Sequence, residues 1–455
     1  MLTERCRPAS ASPPRNDRSP ACGMAAPRPF ESRDALDSFQ TPLPPPALGR
    51  NAHAVSSTSL KLLQLADQCV KCGYCLPHCP TYQLQQNEAE SPRGRISLVQ
   101  GLLWGELEAS ERLSDHLGNC LECRACEPVC PSLVRFGTLM DGARELQLAD
   151  QPRWRQYATA TTLGLLSDRR RLPLIARAAR FYHRSGLARL ASALGLLHKP
   201  RIGLLHRLSR SLHPPQPLWP TPPDAAGNAP EVDLFLGCIA AGTQQATAAA
   251  SLRVLERLGF RVRMPDEQGC CGAIQRHNGL AAAAEQRLAH NDRVFGPRRV
   301  AGYASACVAE LDEHSRIDVV EICRLLVDTH WPAGLAPDGS AQRIAVHEPC
   351  SHRNVLRDTA AIYALLAKIP GLEAIPLRGN ETCCGAAGTY LIEHPTTAHQ
   401  LAVDKIAHLR ELDVRILVTT NTGCALHLAT EAEAAGLDVE VIHPVELIDR
   451  LITPP

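Results

Sequence analysis

Eight cysteines of this 455-residue chain fall into two runs of one pattern, Cys69-x-x-Cys72-x-x-Cys75-x-x-x-Cys79-Pro80 and Cys120-x-x-Cys123-x-x-Cys126-x-x-x-Cys130-Pro131. Three thiolates spaced in this way wrap a loop round one iron–sulfur cubane. A fourth, set before a proline, reaches the neighbouring cubane in two-cluster proteins. The pattern assigns Cys69, Cys72, Cys75 and Cys130 to one [4Fe–4S] cluster, and Cys120, Cys123, Cys126 and Cys79 to a second. A zinc site usually shows one CxxC pair per half-site, and eight matched cysteines depart from that. Clusters with interlocked ligands lie close together. Every iron then has a protein ligand, so the pair can carry single electrons but offers no open position to a substrate.

Eight further cysteines form a second, duplicated pattern. A strand-like segment ends at Cys238 in DLFLGC and at Cys350 in RIAVHEPC; the triplets Cys270-Cys271-Gly272 and Cys383-Cys384-Gly385 follow; Cys307 and Cys424 then close YASAC and ILVTTNTGC. Adjacent cysteines can face one metal only on a bent backbone, and the glycine after each pair tolerates the positive φ that such a bend needs. Three uses of these thiolates stay open: an iron–sulfur cluster in one or both sets, structural zinc, or disulfide redox chemistry. His347, His352 and His427 flank the second set and His277 follows the first triplet. They read as satisfied polar residues at strand ends rather than as ligands or proton relays. Cys323 reads as a buried inert thiol, and Cys6 and Cys22 as incidental.

The elements that must position these groups follow from composition and period. The chain is 45% hydrophobic and 4% aromatic, which suits an aliphatic core, and it has no run of apolar residues long enough for a transmembrane helix. Its first thirty or so residues lack an apolar signal region. Nineteen cysteines without a secretory signal favour metal or redox use over a disulfide scaffold. Residues 1–52, rich in Pro, Ser and Arg, read as a disordered extension, or in part as an over-long start with Met24 as initiator. Residues 58–150 carry the two cysteine runs, with a helical stretch from Arg93 to Leu117 between them. Residues 151–213 form a basic helical linker, in which thirteen Lys/Arg face one acid, Asp168, with apolar positions at helical spacing such as Leu187, Leu190 and Leu194. Pro214–Pro223 reads as a connector. In 231–330 and 341–453 strands alternate with helices, which predicts two small parallel α/β domains. The expected fold is thus mixed: a helical ferredoxin-like domain, a helical linker and a repeated α/β pair. Neither GxGxxG nor a P-loop occurs, so neither NAD nor flavin is expected on this chain. No nucleic-acid module accompanies the basic segment, so nucleic acid is not an expected partner.

Two cysteine runs, a helical linker and two CCG domains in this order resemble the iron–sulfur subunits of glycolate oxidases, within a broader group of heterodisulfide-reductase-like and lactate-utilisation iron–sulfur proteins. The segments that carry the resemblance are CVKCGYCLPHCPTY, ESPRGRISLV, CLECRACEPVCPS, CCGAIQRHNG, HEPCSHRN, CCGAAGTY and TTNTGCALHL. The first repeat departs at ASACVAELDEH, where the pattern has a glycine beside the last cysteine. The resemblance implies a cytoplasmic subunit on the inner face of the cell membrane, without a substrate-oxidising site of its own. It would take electrons from FAD-binding partner subunits that oxidise glycolate or another 2-hydroxy acid, and pass them to an acceptor such as quinone. The alternatives within the resemblance are a thiol–disulfide oxidoreductase and a lactate-utilisation subunit.

Overall fold

The structure, a computed structural model, describes residues 57–169, 171–212, 229–332, 335 and 342–452. The expected extension at 1–52 and the connector Pro214–Pro223 lie outside the described residues.

The first part is helical. Ser57–Asp67, Pro92–Leu103, Glu111–Gly118 and Phe136–Asp150 pack round one apolar cluster that includes Ile96, Val99, Leu117, Leu139 and Met140. Local signals start two of these helices. Ser91 caps Pro92–Leu103 by accepting the Gly94 N–H, with Pro92 in the first turn where its missing N–H costs nothing. Ser110 caps Glu111–Gly118 by accepting the Leu113 N–H.

Four helices follow, Arg153–Leu166, Leu172–Arg184, Leu187–Ala193 and Pro200–Arg210. They match the basic amphipathic segment, but much of the apolar stripe faces outward. Leu163, Ala176 and Leu204 are buried, whereas Trp154, Leu174, Phe181, Leu187, Leu190 and Leu194 are exposed.

The remainder is a duplicated α/β unit. β1 (Glu231–Phe235), β2 (Arg261–Arg263), β3 (Arg299–Gly302) and β4 (Asp318–Glu321) form one parallel sheet of order β2-β1-β3-β4. β5 (Gln342–His347), β6 (Leu372–Pro376), β7 (Ile416–Thr419) and β8 (Glu440–Ile442) repeat that order as β6-β5-β7-β8, again parallel. The short edge strands β2 and β6 add to the strands foreseen from sequence. Cys307 and Cys424, expected at strand ends, lie instead in the first turns of the helices Ser305–His314 and Thr422–Ala434, because each chain turns between strand and cysteine.

The two units share one core, in which Leu234, Ile322, Ile344, Ile362 and Ile448 are all buried. The helix Gln245–Arg257 of the first unit meets Pro444–Ile452 of the second through Thr247 Oγ1 to Glu446 Oε1 (2.5 Å) and the Arg253–Asp449 ion pair (2.6 Å).

Candidate metal centres

In open parallel sheets, ligands gather beyond the carboxyl ends of the strands where the strand order reverses. In both units that point lies between neighbouring strands: β1 and β3, then β5 and β7. Cys238 and Cys307 follow the first pair, and Cys350 and Cys424 the second. The CCG loops follow β2 and β6 and reach the same edge. Cys238 Sγ lies 3.5 Å from Cys270 Sγ, and Cys271 is hydrogen-bonded to Cys307. In the second unit Cys350 and Cys383 are 3.9 Å apart, and Cys384 and Cys424 3.2 Å. Each set of four thus converges.

The bend after each cysteine pair is present. Gly272 has φ +103° and Gly385 +95°. A Cβ at Gly385 would stand 2.8 Å from Ala398 Cα and O, so only glycine lets the loop rest on that helix. Hydrogen bonds from the neighbouring thiols Cys238 and Cys271 hold Cys270 well below the usual thiol range. Those from Cys350 and Cys384 do the same for Cys383. The hydrogen bonds within each set thus converge on one sulfur, Cys270 in the first and Cys383 in the second.

The two ferredoxin-type loops also share one backbone. The residues on either side of the second cysteine are left-handed in both: Lys71 and Gly73 (φ +57° and +89°) about Cys72, and Glu122 and Arg124 (+48° and +56°) about Cys123. Three of the four are not glycine, and such strain persists only where the surroundings enforce it. Arg124 is held by Glu127 (2.8 Å) and Glu313 (2.5 Å). Cys79, from the first run, acts electrostatically on Cys123 and Cys126 of the second as well as on Cys75 of its own. Cys130 packs in one apolar cluster with cysteines of both runs, Cys69, Cys75, Cys120 and Cys126.

The loops differ in exposure. Cys72 is exposed and its neighbours Val70 (69%) and Tyr74 (67%) face solvent, as does Leu133 (77%) beyond Cys130. Cys120 and Cys126 are buried. The second loop instead packs between the α/β units, meeting Glu313 and His277 of the first and also residues of the second. The Cys123 carbonyl accepts the Asn354 side chain at 2.8 Å, four residues past Cys350, and Cys383 raises the Cys123 thiol by its charge, after burial itself. Tyr390 donates its hydroxyl to Asn119 Oδ1 (2.7 Å), and Leu121, Cys383 and Tyr390 share one apolar cluster. The sequence showed no sign of this contact between elements about 230 residues apart.

The ESPRGR segment proves structural. Arg95 is 1% exposed and donates to Glu90 Oε2 (2.5 Å), Thr81 Oγ1 (3.1 Å) and the His116 carbonyl (2.8 Å). Thr81 in turn lies 3.4 Å from Cys79 Sγ. The first α/β unit is clamped by His277, whose ring meets Glu122 and Asp141 while Arg144 donates to its carbonyl (2.6 Å). Burial works against its charge, but the two carboxylates outweigh it and lift its pKa well above the usual imidazole range.

The histidines near the second set meet the expectation of satisfied polar residues only in part: His347 Nδ1 bonds Asn380 Oδ1 (3.3 Å) and His352 Nδ1 bonds Thr420 Oγ1 (2.8 Å), but their other nitrogens do not follow. His347, His352 and His427 are buried, and His347 Nε2, His352 Nε2 and both nitrogens of His427 have no hydrogen-bond partner; His427 Nε2 is 3.7 Å from Glu431 Oε1. Cys323 is fully buried, as expected, beside Glu321 and His443. Among the described residues no helix is long and apolar enough to cross a membrane.

Comparison with known proteins agrees with this arrangement. The 4Fe-4S dicluster domain family matches residues 65–134, and the cysteine-rich domain family matches 232–312 and 344–429. The chain is 28% identical to the glycolate oxidase iron-sulfur subunit of Escherichia coli (strain K12), across 89% of this chain and 97% of that one. It is 28% identical to the "Probable glycolate oxidase iron-sulfur subunit" of Bacillus subtilis (strain 168), across 84% and 92%. It is 25% identical to lactate utilization protein A of Shouchella clausii (strain KSM-K16), which covers 48% of this chain and 98% of its own length. With its matched cysteines gathered at the sites described, the chain carries a 4Fe–4S dicluster domain followed by two cysteine-rich CCG domains, and over most of its length it is similar to glycolate oxidase iron–sulfur subunits.

Proposed function

We propose that this chain is the electron-transfer subunit of a flavin-dependent glycolate or other 2-hydroxy-acid dehydrogenase, taking electrons from an FAD-binding partner and delivering them to an acceptor such as quinone. The observation that carries the proposal is the exposure gradient along its cysteines: an open first loop, a buried second loop, and the second CCG set against that second loop. When bound, clusters held by these residues supply one-electron transfer. Cys69, Cys72, Cys75 and Cys130 would hold one, and Cys120, Cys123, Cys126 and Cys79 the other. Cys350, Cys383, Cys384 and Cys424 would hold a further metal–thiolate centre, and Cys238, Cys270, Cys271 and Cys307 another.

The chain's own contribution is positional. Val70, Tyr74 and Leu133 present an apolar rim round the exposed loop, where a flavoprotein subunit can dock close to the first cluster. Asn354 and Tyr390 fix the second loop against the CCG unit. The exposed leucines and arginines of 153–210 suit the cytoplasmic face of an anionic membrane, where an acceptor quinone resides.

The test is reconstitution with the flavoprotein partners. Cys75→Ser or Cys126→Ser should abolish acceptor reduction while the partner's flavin is still reduced by glycolate. Glycolate oxidation by the isolated chain would overturn the proposal.

A further inference from the structure

We infer that His347 Nε2 is a metal ligand of the second CCG centre, so that this centre is a mixed thiolate–imidazole site while its duplicate in the first unit is thiolate only. The inference rests on the reading above that Cys350, Cys383, Cys384 and Cys424 hold metal.

A ring nitrogen of His347 and the Sγ atoms of Cys384 and Cys424 all lie within 4.8 Å of one another, and all three residues are buried. The hydrogen-bond network fixes which nitrogen has a lone pair to give. Asn380 Oδ1 accepts the Glu348 N–H (3.2 Å) while Asn380 Nδ2 donates to the Val346 carbonyl (3.0 Å), so the orientation of the amide is determined. His347 Nδ1 faces that same Oδ1 at 3.3 Å and must therefore donate to it. In the neutral ring Nε2 is then left unprotonated, and it is buried without a partner. A neutral imidazole fixed through its other N–H is the usual state of a metal-bound histidine. A buried acceptor with no partner is costly unless something fills its lone pair.

Two contrasts sharpen the assignment. Glu321, Cys323 and His443 also lie within 4.8 Å of one another. There, however, His443 Nδ1 accepts the Val445 N–H (3.1 Å), so Nε2 carries the proton and faces Glu321 Oε1 at 3.6 Å, an arrangement that leaves no lone pair for metal. The duplicated unit provides the second contrast. His347 stands three residues before Cys350 at the end of β5, and the same place before Cys238 at the end of β1 is held by Phe235, which cannot ligate.

The experiment uses the full chain, purified anaerobically as wild type, His347→Ala, His347→Cys and Cys384→Ala. Iron and zinc are counted per chain. Directly bound nitrogen is sought by pulsed EPR of the reduced protein and by X-ray absorption at the zinc edge. The expected result is metal beyond the about eight irons of two cubanes, with bound nitrogen in the wild type. His347→Cys should keep that metal and lose the nitrogen. His347→Ala should lose the nitrogen and bind the extra metal at least tenfold more weakly. A nitrogen signal unchanged in both His347 variants would overturn the assignment while leaving a metal centre in place. Unchanged metal content in Cys384→Ala would overturn the underlying reading, and with it the assignment. Zinc with bound nitrogen would uphold His347 as ligand and exclude this centre as an electron carrier.

Discussion

Replacing Arg95 with Met should destabilise the dicluster domain locally by about 3 kcal/mol, at the low end of the 3–5 kcal/mol seen when one partner of a buried ion pair is removed. Arg95 and Glu90 are both buried, and the substitution keeps most of the side-chain volume while removing every donor. Glu90 would keep the Asn119 amide (2.7 Å) and His116 Nδ1 (2.6 Å) as partners, which places the cost at the low end of the range. Thr81 Oγ1 and the carbonyls of Glu90 and His116 would each lose a donor. The readout is amide hydrogen exchange in Pro92–Leu103 and Pro80–Gln85, because a multidomain protein with bound clusters does not unfold in one step. About 3 kcal/mol corresponds to roughly a hundredfold faster exchange through local opening. Adding Glu90→Gln should restore part of the protection, since it removes the stranded charge. A single variant within tenfold of wild type, or a double variant as unprotected as the single, would refute the view that this pair anchors the loop of Cys79.

Gly385→Ala should cost more than Gly272→Ala. Both force a side chain to positive φ, worth about 1–3 kcal/mol, but the new Cβ meets Ala398 backbone at 2.8 Å in one case and Ala284 O at 3.2 Å in the other; metal content and melting midpoint measured side by side will rank them. His277 has a raised pKa, so its clamp on Glu122 and Asp141 is complete below the ordinary imidazole value and is lost as pH rises through the raised one. The melting midpoint should accordingly fall on the alkaline side, and His277→Gln should flatten that dependence; an unchanged slope would remove the clamp from consideration. Vesicles containing anionic lipid should bind the chain at low salt and release it at high salt, at about 1 kcal/mol per basic residue near the surface, and Leu187→Gln with Leu190→Gln should weaken the binding. Indifference to lipid charge would count against the basic helices as a membrane face.

What could be read from the sequence was whatever is encoded over short spans. The spacing of Cys69 to Cys79 and Cys120 to Cys130 implies loops round clusters because ligation geometry is local. Gly272 and Gly385 announced their bends for the same reason. Apolar runs such as DLFLG and RIAVH marked β1 and β5, since strands buried on both faces need continuous hydrophobic sequence. The edge strands β2 and β6 escaped notice because RVR and LEAIP are short and partly exposed. Cys307 and Cys424 looked like strand ends because the turn that separates strand from helix leaves little trace in composition. The apolar stripe of Leu187, Leu190 and Leu194 shows the limit of periodicity, which identifies a helix face but not what covers it. His347 escaped for a different reason: its role turns on which nitrogen Asn380 engages, and that is decided 33 residues away.

The duplication makes the two CCG units controls for one another, and their differences bear on the direction of electron flow. Both have converging thiols, one thiol held low by hydrogen bonds from its neighbours, and a glycine at positive φ. Only the second has His347, with Lys405 near its cysteines. Seven positions after Ala398, Lys405 occupies the place that Asn291 holds after Ala284. Both units touch the loop of Cys123, the first through Glu313 on Arg124 and His277 on Glu122, the second through Asn354 on the Cys123 carbonyl. An ammonium beside thiolates lowers the local negative charge, and a less negative surround stabilises the reduced state of a metal centre. On the proposed reading that both units hold metal, the second, with Lys405 near its cysteines, is the one whose surroundings favour the reduced state.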